Sequence, residues 1–448
     1  MKAFIGLDIG TSAVKGVLLS AGGEVIKTVT TGFEYFFEGE AKLLSPKVFT
    51  DACCSTISKL AAARGERDIL AICSCSASGS TLFLDKNGEP LTPIIGWQTK
   101  ISAEDSEELM SKEERRELYE VVGWPLGPGF PPSYIFALRK HYPEIFDKTA
   151  TIAMAAEYLN LTLTGRLGIS HSMATPSYLA DQEKGEYNEA IIKRLGIEEK
   201  ILPPLMKKGA VLGNITKENA TRLGLSEDCA VVLGSFDHPS GATGAGVYEE
   251  GEMLLSCGTS WVEFFPVCSR EFAISTRALV DRFMLYGSPW CVMKSIASIS
   301  DKINKLRKGL LGEISHAEFD SLASISSLGA NGLRFSFTEE DEGRAVGYSR
   351  EDIARAIIES AAHLLRENLE KMRALGLRHD KITLIGGISN SEVCTRIIAE
   401  VLGQKIYVTN GESAGAVGSA MLAAIGVGIF KSEKEAFASM GFTSKSFG

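Results

Sequence analysis

One pattern occurs twice in this chain and constrains it most. Phe4 to Leu19 holds two apolar runs around a short polar turn, Asp8-Ile9-Gly10-Thr11-Ser12. Leu254 to Phe265 has the same shape around Gly258-Thr259-Ser260, and in both copies Val follows the Ser by one residue. Each stretch reads as a β-hairpin, with a Gly for close backbone approach and two hydroxyls at the tip. Backbone N–H groups and hydroxyls gathered at such a turn can hold phosphate oxygens. A carboxylate beside a phosphate needs a cation between them, so Asp8 suggests Mg2+. An ordinary hairpin with an Asp-Gly turn accounts equally well for the first stretch alone. The repetition favours two related lobes that bring two phosphate-binding turns together across a cleft.

A length of 448 residues exceeds one hydrophobic core and suits two large lobes. The net charge of -9 argues against a nucleic acid held on a broad basic face. No apolar run approaches a membrane span, and no secretion signal is visible at the N-terminus. The nine cysteines lack CxxC spacing and have apolar neighbours, so buried free thiols in a reducing cytoplasm are expected. The histidines show no HxxxH or HExxH pattern, and no Gly-Lys dipeptide exists, which removes a Walker A loop.

Along the chain, strands are expected at 24–31, 69–73, 81–85 and 93–97, with a helix over 46–63. That is a mixed α/β pattern, not a βαβ alternation. Residues 102–122 read as charged and helical. The Gly/Pro-rich stretch Gly123 to Pro132 is too short and too aromatic for a flexible linker; it reads as a rigid loop against a binding cleft or as an inter-helix turn. A buried strand over 230–235 runs into a small-residue helix with Pro239 near its first turn. Asp237 stands at that junction, where the helix dipole would keep it ionised at neutral pH; a plain helix cap is the usual role of Asp there. A second lobe begins near Val247. Ser349 and Asp352 resemble a capping box opening a long helix. The strand over 381–385 ends in Gly386-Gly387-Ile388-Ser389-Asn390, a turn whose bare backbone could lie against an adenosine.

These four stretches, in this order, resemble the FGGY carbohydrate kinases of the sugar kinase, actin and Hsp70 superfamily, and the resemblance covers nearly the whole chain. It implies an α/β fold of two ribonuclease H-like, actin-like ATPase lobes with a cleft between them: residues 1–246 for sugar and the first phosphate motif, and 247–448 for ATP. It implies ATP binding by Gly10, Thr11, Ser12, Lys15, Gly258, Thr259, Ser260, Gly386, Gly387 and Asn390, with Gly415 and Gly418 in the family's last helix. Mg2+ near Asp8, a general base at Asp237, a small sugar or polyol acceptor and a homodimer follow from the same resemblance. Lys15 could equally be a solvated strand residue.

Pro128 to Phe130 and Tyr142 to Phe146 look most like xylulokinases, yet the sugar-facing positions depart from that pattern. Ala77-Ser78-Gly79 stands where a Gln-Met-His run is expected. Gln98, Thr99 and Ile101 follow Trp97 in place of Asp and Arg. Ser170 or His171 replaces an acidic residue, and His238 follows Asp237 where Asn or Gln is commoner. Ser78, Trp97, Gln98, Asp237 and His238 are the expected acceptor contacts. Small residues at 77–79 leave a roomier pocket, unless another loop fills it. The expected reaction moves the γ-phosphoryl of ATP to a hydroxyl of a ketose or polyol, on the pattern of a pentulose kinase. A kinase for another ketose, polyol or aldonate, a sensor that binds without catalysis, and an ATPase acting on proteins are the rivals. Retention of Asp237 argues against a sensor, which has no use for a base.

Overall fold

The computed structural model describes residues 1–77, 79–284, 290–338 and 341–448. Contacts divide the chain into two compact units. The first is Met1–Gly244 with Cys268–Cys291 and Gly415–Gly441; the second is Ala245–Val267 with Val292–Ala414 and Phe442–Gly448.

The first unit is built on a sheet of Val211–Asn214, Ala230–Val232, Asp68–Ser76, Lys2–Ile9, Ala13–Ser20 and Val25–Gly32, in that spatial order. Lys2–Ile9 and Ala13–Ser20 form the expected antiparallel hairpin, with Leu7 opposite Gly16 and Asp8 opposite Lys15. Side chains alternate along a strand, so Gly16 shares a face with Leu7, and Gly6 shares the other face with Asp8. A helix packs close on each face. A Cβ on Gly16 would stand 2.7 Å from Leu60 and Thr56 of the helix Pro46–Ala62. A Cβ on Gly6 would overlap the Ala416 carbonyl oxygen of the helix Ala414–Gly426, at 1.9 Å. Glycine here lets helix backbone reach sheet backbone, and Asp8 points toward the second of these helices.

The second unit repeats the plan. Gly251–Cys257 pairs antiparallel with Trp261–Val267 and parallel with His379–Gly386, as Lys2–Ile9 does with its two neighbours. Ile406–Val408 and Lys445–Phe447 extend this sheet. The duplication suggested by the repeated tip is therefore present in the strand topology.

Several expectations need correction. The helical stretch 102–122 is two helices, Ala103–Leu109 and Lys112–Val122, because Ser111 opens a capping box with Glu114. The strand expected over 93–97 is only Ile94–Ile95, and that over 230–235 ends at Val232. Ser349 caps the helix Arg350–Ala374, accepting from the Asp352 N–H at 3.1 Å. The capping box is incomplete, because the Asp352 carboxylate accepts from Ser326 and Asn331 instead. All nine cysteines are free thiols; eight are buried, but Cys268 is exposed. Among the described residues, no helix is long and apolar enough to cross a membrane.

Candidate active site

Three small-residue contacts bring two carboxylates together in the first unit. Asp8 lies near the end of the first strand. A Cβ on Gly415 would stand 2.5 Å from Asp8 Oδ2, so the carboxylate can keep this position against the helix Ala414–Gly426 only because residue 415 is Gly. The same helix crosses Asp237–Ala245 at Gly418, where a Cβ would lie 2.0 Å from the Ser240 carbonyl oxygen. Ser240 Oγ donates to the Gly415 carbonyl oxygen at 2.9 Å and lies 3.1 Å from Ser419 Oγ. Gly415 and Gly418, expected in the family's last helix, thus make the close packing that sets Asp237 near Asp8.

The electrostatics follow from that placement. Burial, and then the charge of Asp237, push the Asp8 carboxyl up to about 6; Lys15 opposite it acts the other way. The Asp237 carboxyl is pushed up to about 7 by burial. The expected ionisation of Asp237 at neutral pH is therefore opposed by desolvation, which at about 7 leaves the carboxyl part ionised, while the His238 N–H donates to Oδ1 at 2.8 Å and favours the charged form. His238 Nε2 stands 3.8 Å from Asp237 Oδ1. Burial lowers this imidazole to about 4, so it is neutral at pH 7. Asp8 and Asp237 each hold a proton at a pH where an exposed Asp would not.

The expected acceptor residues are divided. Ser78 lies outside the described residues. Trp97 lines a small recess together with Gly10, Thr11, Ser76 and Ala77. Gln98 is exposed and accepts from Lys42 at 2.6 Å, and Thr99 ties to the Lys42 backbone. Ser170 caps the short helix His171–Ala174. Each of these polar side chains has a protein partner in the structure.

Aromatic rings supply what sequence reasoning missed. Trp97 stacks on Phe130 with centroids 6.4 Å apart, and Trp124 meets Phe130, Tyr178 and Phe236 edge-on at 6.2, 6.1 and 5.4 Å. Phe236 in turn meets His238 at 5.2 Å. Phe130 has φ +71, a left-handed backbone that a bulky residue adopts only under constraint. A Cβ on Gly79 would stand 2.5 Å from Phe130 Cδ1. The room expected from small residues at 77–79 is filled by this ring. Trp124 and Phe130 sit in the Gly/Pro-rich loop whose composition suggests a cleft wall. Tyr178 and Phe236 carry no such signal.

In the second unit the remaining candidates come together. Cys257 pairs with Gly386 at the ends of adjacent parallel strands. A Cβ on Gly386, whose φ is +92, would fall 2.4 Å from the Cys257 carbonyl oxygen, while one on Gly387 meets nothing within 4 Å. The turn of Gly258, Thr259 and Ser260 is braced by the start of the helix Ile299–Leu311: Ser260 Oγ accepts from the Ser298 N–H at 3.0 Å, and Ser300 Oγ donates to the Gly258 carbonyl oxygen at 2.6 Å. Asn390 donates to Glu412 at 3.0 Å. A helix N-terminus beside a Gly-Thr-Ser turn is chemistry suited to an anion.

Residues 3–244 match the family model of the FGGY family of carbohydrate kinases, N-terminal domain, and residues 329–427 match the C-terminal domain. The chain belongs to the FGGY family of carbohydrate kinases. This kinase is 28% identical to a xylulose kinase of Staphylococcus epidermidis, over 96% of this chain and 89% of that one. It is 26% identical to a xylulose kinase of Escherichia coli, over 94% and 90%. Its fold is that of a crystallised xylulose kinase from Rhodospirillum rubrum, with a TM-score of 0.85 over 100% of this chain and 93% of that one at 23% identity. The FGGY kinase is thus a phosphotransferase acting on a sugar-type acceptor, with the actin-like α/β fold that the resemblance implied.

Proposed function

We propose that this kinase transfers the γ-phosphoryl of ATP to a hydroxyl of a small ketose or polyol, with a pentulose such as D-xylulose as the leading acceptor. The observation that carries the reading is the convergence of Asp8 and Asp237 by glycine-dependent packing, at the end of a strand that opens into a Gly-Thr-Ser turn. Names of relatives at 28% and 26% identity support xylulose; the altered positions 77–79 and 98–99 and the ring wall weigh against strict copying of a xylulokinase site.

The residues take these roles. Asp237 accepts the proton of the attacking hydroxyl; a carboxyl near pH 7 is matched to that task. His238 and the rings of Trp97, Trp124 and Phe130 shape the acceptor side. Gly10, Thr11 and Ser12, with Lys15, and Gly258, Thr259 and Ser260 hold phosphate oxygens. Gly386, Gly387 and Asn390 border the adenosine. The half-buried Asp8 carboxyl, pushed up by burial and then by the charge of Asp237, fits a divalent cation, since Mg2+ is commonly held by one or two carboxylates plus substrate phosphates. Asp8 would hold Mg2+, which supplies neutralisation of phosphate charge. Positioning and electrostatics carry most of the rate in such chemistry. Free thiols throughout support a reducing, cytoplasmic setting, and a homodimer rests on family habit.

The test is ATP consumption with Mg2+ across ketoses, polyols and aldonates, with a blank lacking acceptor. A large rise with one acceptor supports the reading and names the substrate. A flat panel with clear ATP binding refutes it and favours a sensor.

A further inference from the structure

A buried polar chain leads from a segment far along the sequence to the backbone just ahead of Asp237. Asp281, on the strand Leu279–Arg282, is fully buried. Its two oxygens accept from two hydroxyls of one segment: Ser172 Oγ donates to Oδ2 at 2.8 Å, and Thr175 Oγ1 donates to Oδ1 at 2.7 Å. Ser172 Oγ also accepts from the Phe236 N–H at 3.2 Å. A hydroxyl has one proton to give. Because Asp281 takes it, the lone pairs of Ser172 are left for Phe236. The carboxylate thereby sets the orientation of the hydroxyl that holds residue 236.

Residue 236 sits where the sheet has run out. The ladder of Ala230–Val232 has ended, and only a bridge between Ser76 and Phe236 continues it. Asp237 follows directly, and the Phe236 ring packs against both Trp124 and His238. A bond at this N–H therefore governs the base and part of the acceptor wall together. The Thr175 arm has no such connection: Gln182 Nε2 donates to Thr175 Oγ1 at 3.1 Å and to the Val280 carbonyl oxygen at 2.7 Å, which braces Asp281 from its other side.

We propose that Asp281 and Ser172 are positioning residues for the phosphoryl-transfer reaction, holding the Phe236–Asp237 backbone in register with the acceptor. Burying a carboxylate is costly unless its hydrogen bonds are made, and a fold that needed only packing here would place an apolar residue instead. The inference rests on the reading of Asp237 as the base.

The experiment compares Ser172→Ala, Ser172→Thr and Thr175→Val in the full-length enzyme, using ATP and the acceptor that responds in the panel. Ser172→Ala is expected to lower kcat by roughly 10-fold or more while KM for ATP moves less than about 2-fold, the pattern of a misplaced reacting group. The acid limb of its pH profile should move as well. Ser172→Thr, which keeps the hydroxyl, should restore kcat, and Thr175→Val should lower Tm with kcat largely kept. Normal kcat and an unmoved acid limb in Ser172→Ala would overturn the proposal. So would equal losses of kcat in Ser172→Ala and Thr175→Val, since that marks a network with a structural role alone. Should Ser172→Ala not fold, Ser172→Cys, close in size, is read in the same way. An active Asp237→Asn would instead bring down the reading of the base, whereas an inactive Asp237→Asn beside a normal Ser172→Ala brings down this inference alone.

Discussion

The backbone of Gly415 lies against the carboxylate of Asp8, so closely that a methyl group at 415 would stand 2.5 Å from Oδ2. Real Cβ atoms do not come so near an oxygen, so Gly415→Ala must turn Asp8 aside or push the helix away. Gly418, packed on Ser240, resists the second movement. The carboxylate is therefore expected to move. If Asp8 holds Mg2+, Gly415→Ala raises the Mg2+ concentration for half-maximal activity and lowers kcat by about 10²-fold, the scale of a misplacement near 1 Å. A Mg2+ titration checks this; a curve superimposable on that of the unaltered enzyme would remove Asp8 from the metal.

Asp237 makes a second prediction, in pH. A base works only when deprotonated, and burial holds this carboxyl up to about 7. Hence kcat/KM should fall about 10-fold per pH unit below 7 and level off above it, as the free enzyme's base titrates. Mg2+ near Asp8 adds positive charge and favours the carboxylate, so raising Mg2+ should move the limb to lower pH. Asp237→Asn should lose about 10² or more in turnover and lose the limb, while ATP binding measured by calorimetry persists. Near-normal turnover in that variant would assign the proton to another group.

Gly79 and Phe130 bear on the acceptor. Gly79 has φ +91, and a side chain there would meet the Phe130 ring. Gly79→Ala should therefore shift the ring and its stacked neighbour Trp97. We expect KM for the acceptor to rise by roughly 10-fold or more, the scale of a lost apolar contact, with KM for ATP nearly unchanged. Parallel rises in both constants would show that the rings support the fold at large rather than the acceptor.

Much of this was legible because duplication and glycine leave marks in sequence. The two Gly-Thr-Ser tips announced two hairpins, each joined to a parallel strand, and both are present. Asp237 was legible from the strand and small-residue helix around it. How far burial raises its carboxyl was not, because the helix dipole can be inferred from local sequence while desolvation depends on what the fold packs around the residue. Phe130 was hidden for a similar reason: a small-residue run at 77–79 tells of space, not of what occupies it. Asp281 was invisible, since its partners Ser172 and Thr175 lie more than a hundred residues away and none of the three belongs to a motif.

Glu263 provides a prediction about stability. It sits on the strand Trp261–Val267 with no exposed surface; Oε1 accepts from Asn368 at 3.2 Å, and Oε2 has no hydrogen-bond partner among the described residues. Burial pushes its carboxyl from 4.5 up to about 7. The folded protein therefore binds this proton more tightly than the unfolded chain does. The contribution to stability is full below about pH 4.5, declines as pH rises toward 7, and is gone above it, where a buried charge must be carried. Glu263→Gln removes that charge at every pH. The variant should match the unaltered protein near pH 4.5 or fall slightly below it. At about pH 8 it should exceed the unaltered protein by up to ~3 kcal/mol, since each pH unit between the unfolded and folded titrations is worth ~1.4 kcal/mol. Thermal melts at the two pH values check the sign. A variant that loses ground to the unaltered protein between the lower and the higher pH would mean that Glu263 is carried as a carboxylate, held by Asn368 and Lys294 more firmly than its burial opposes.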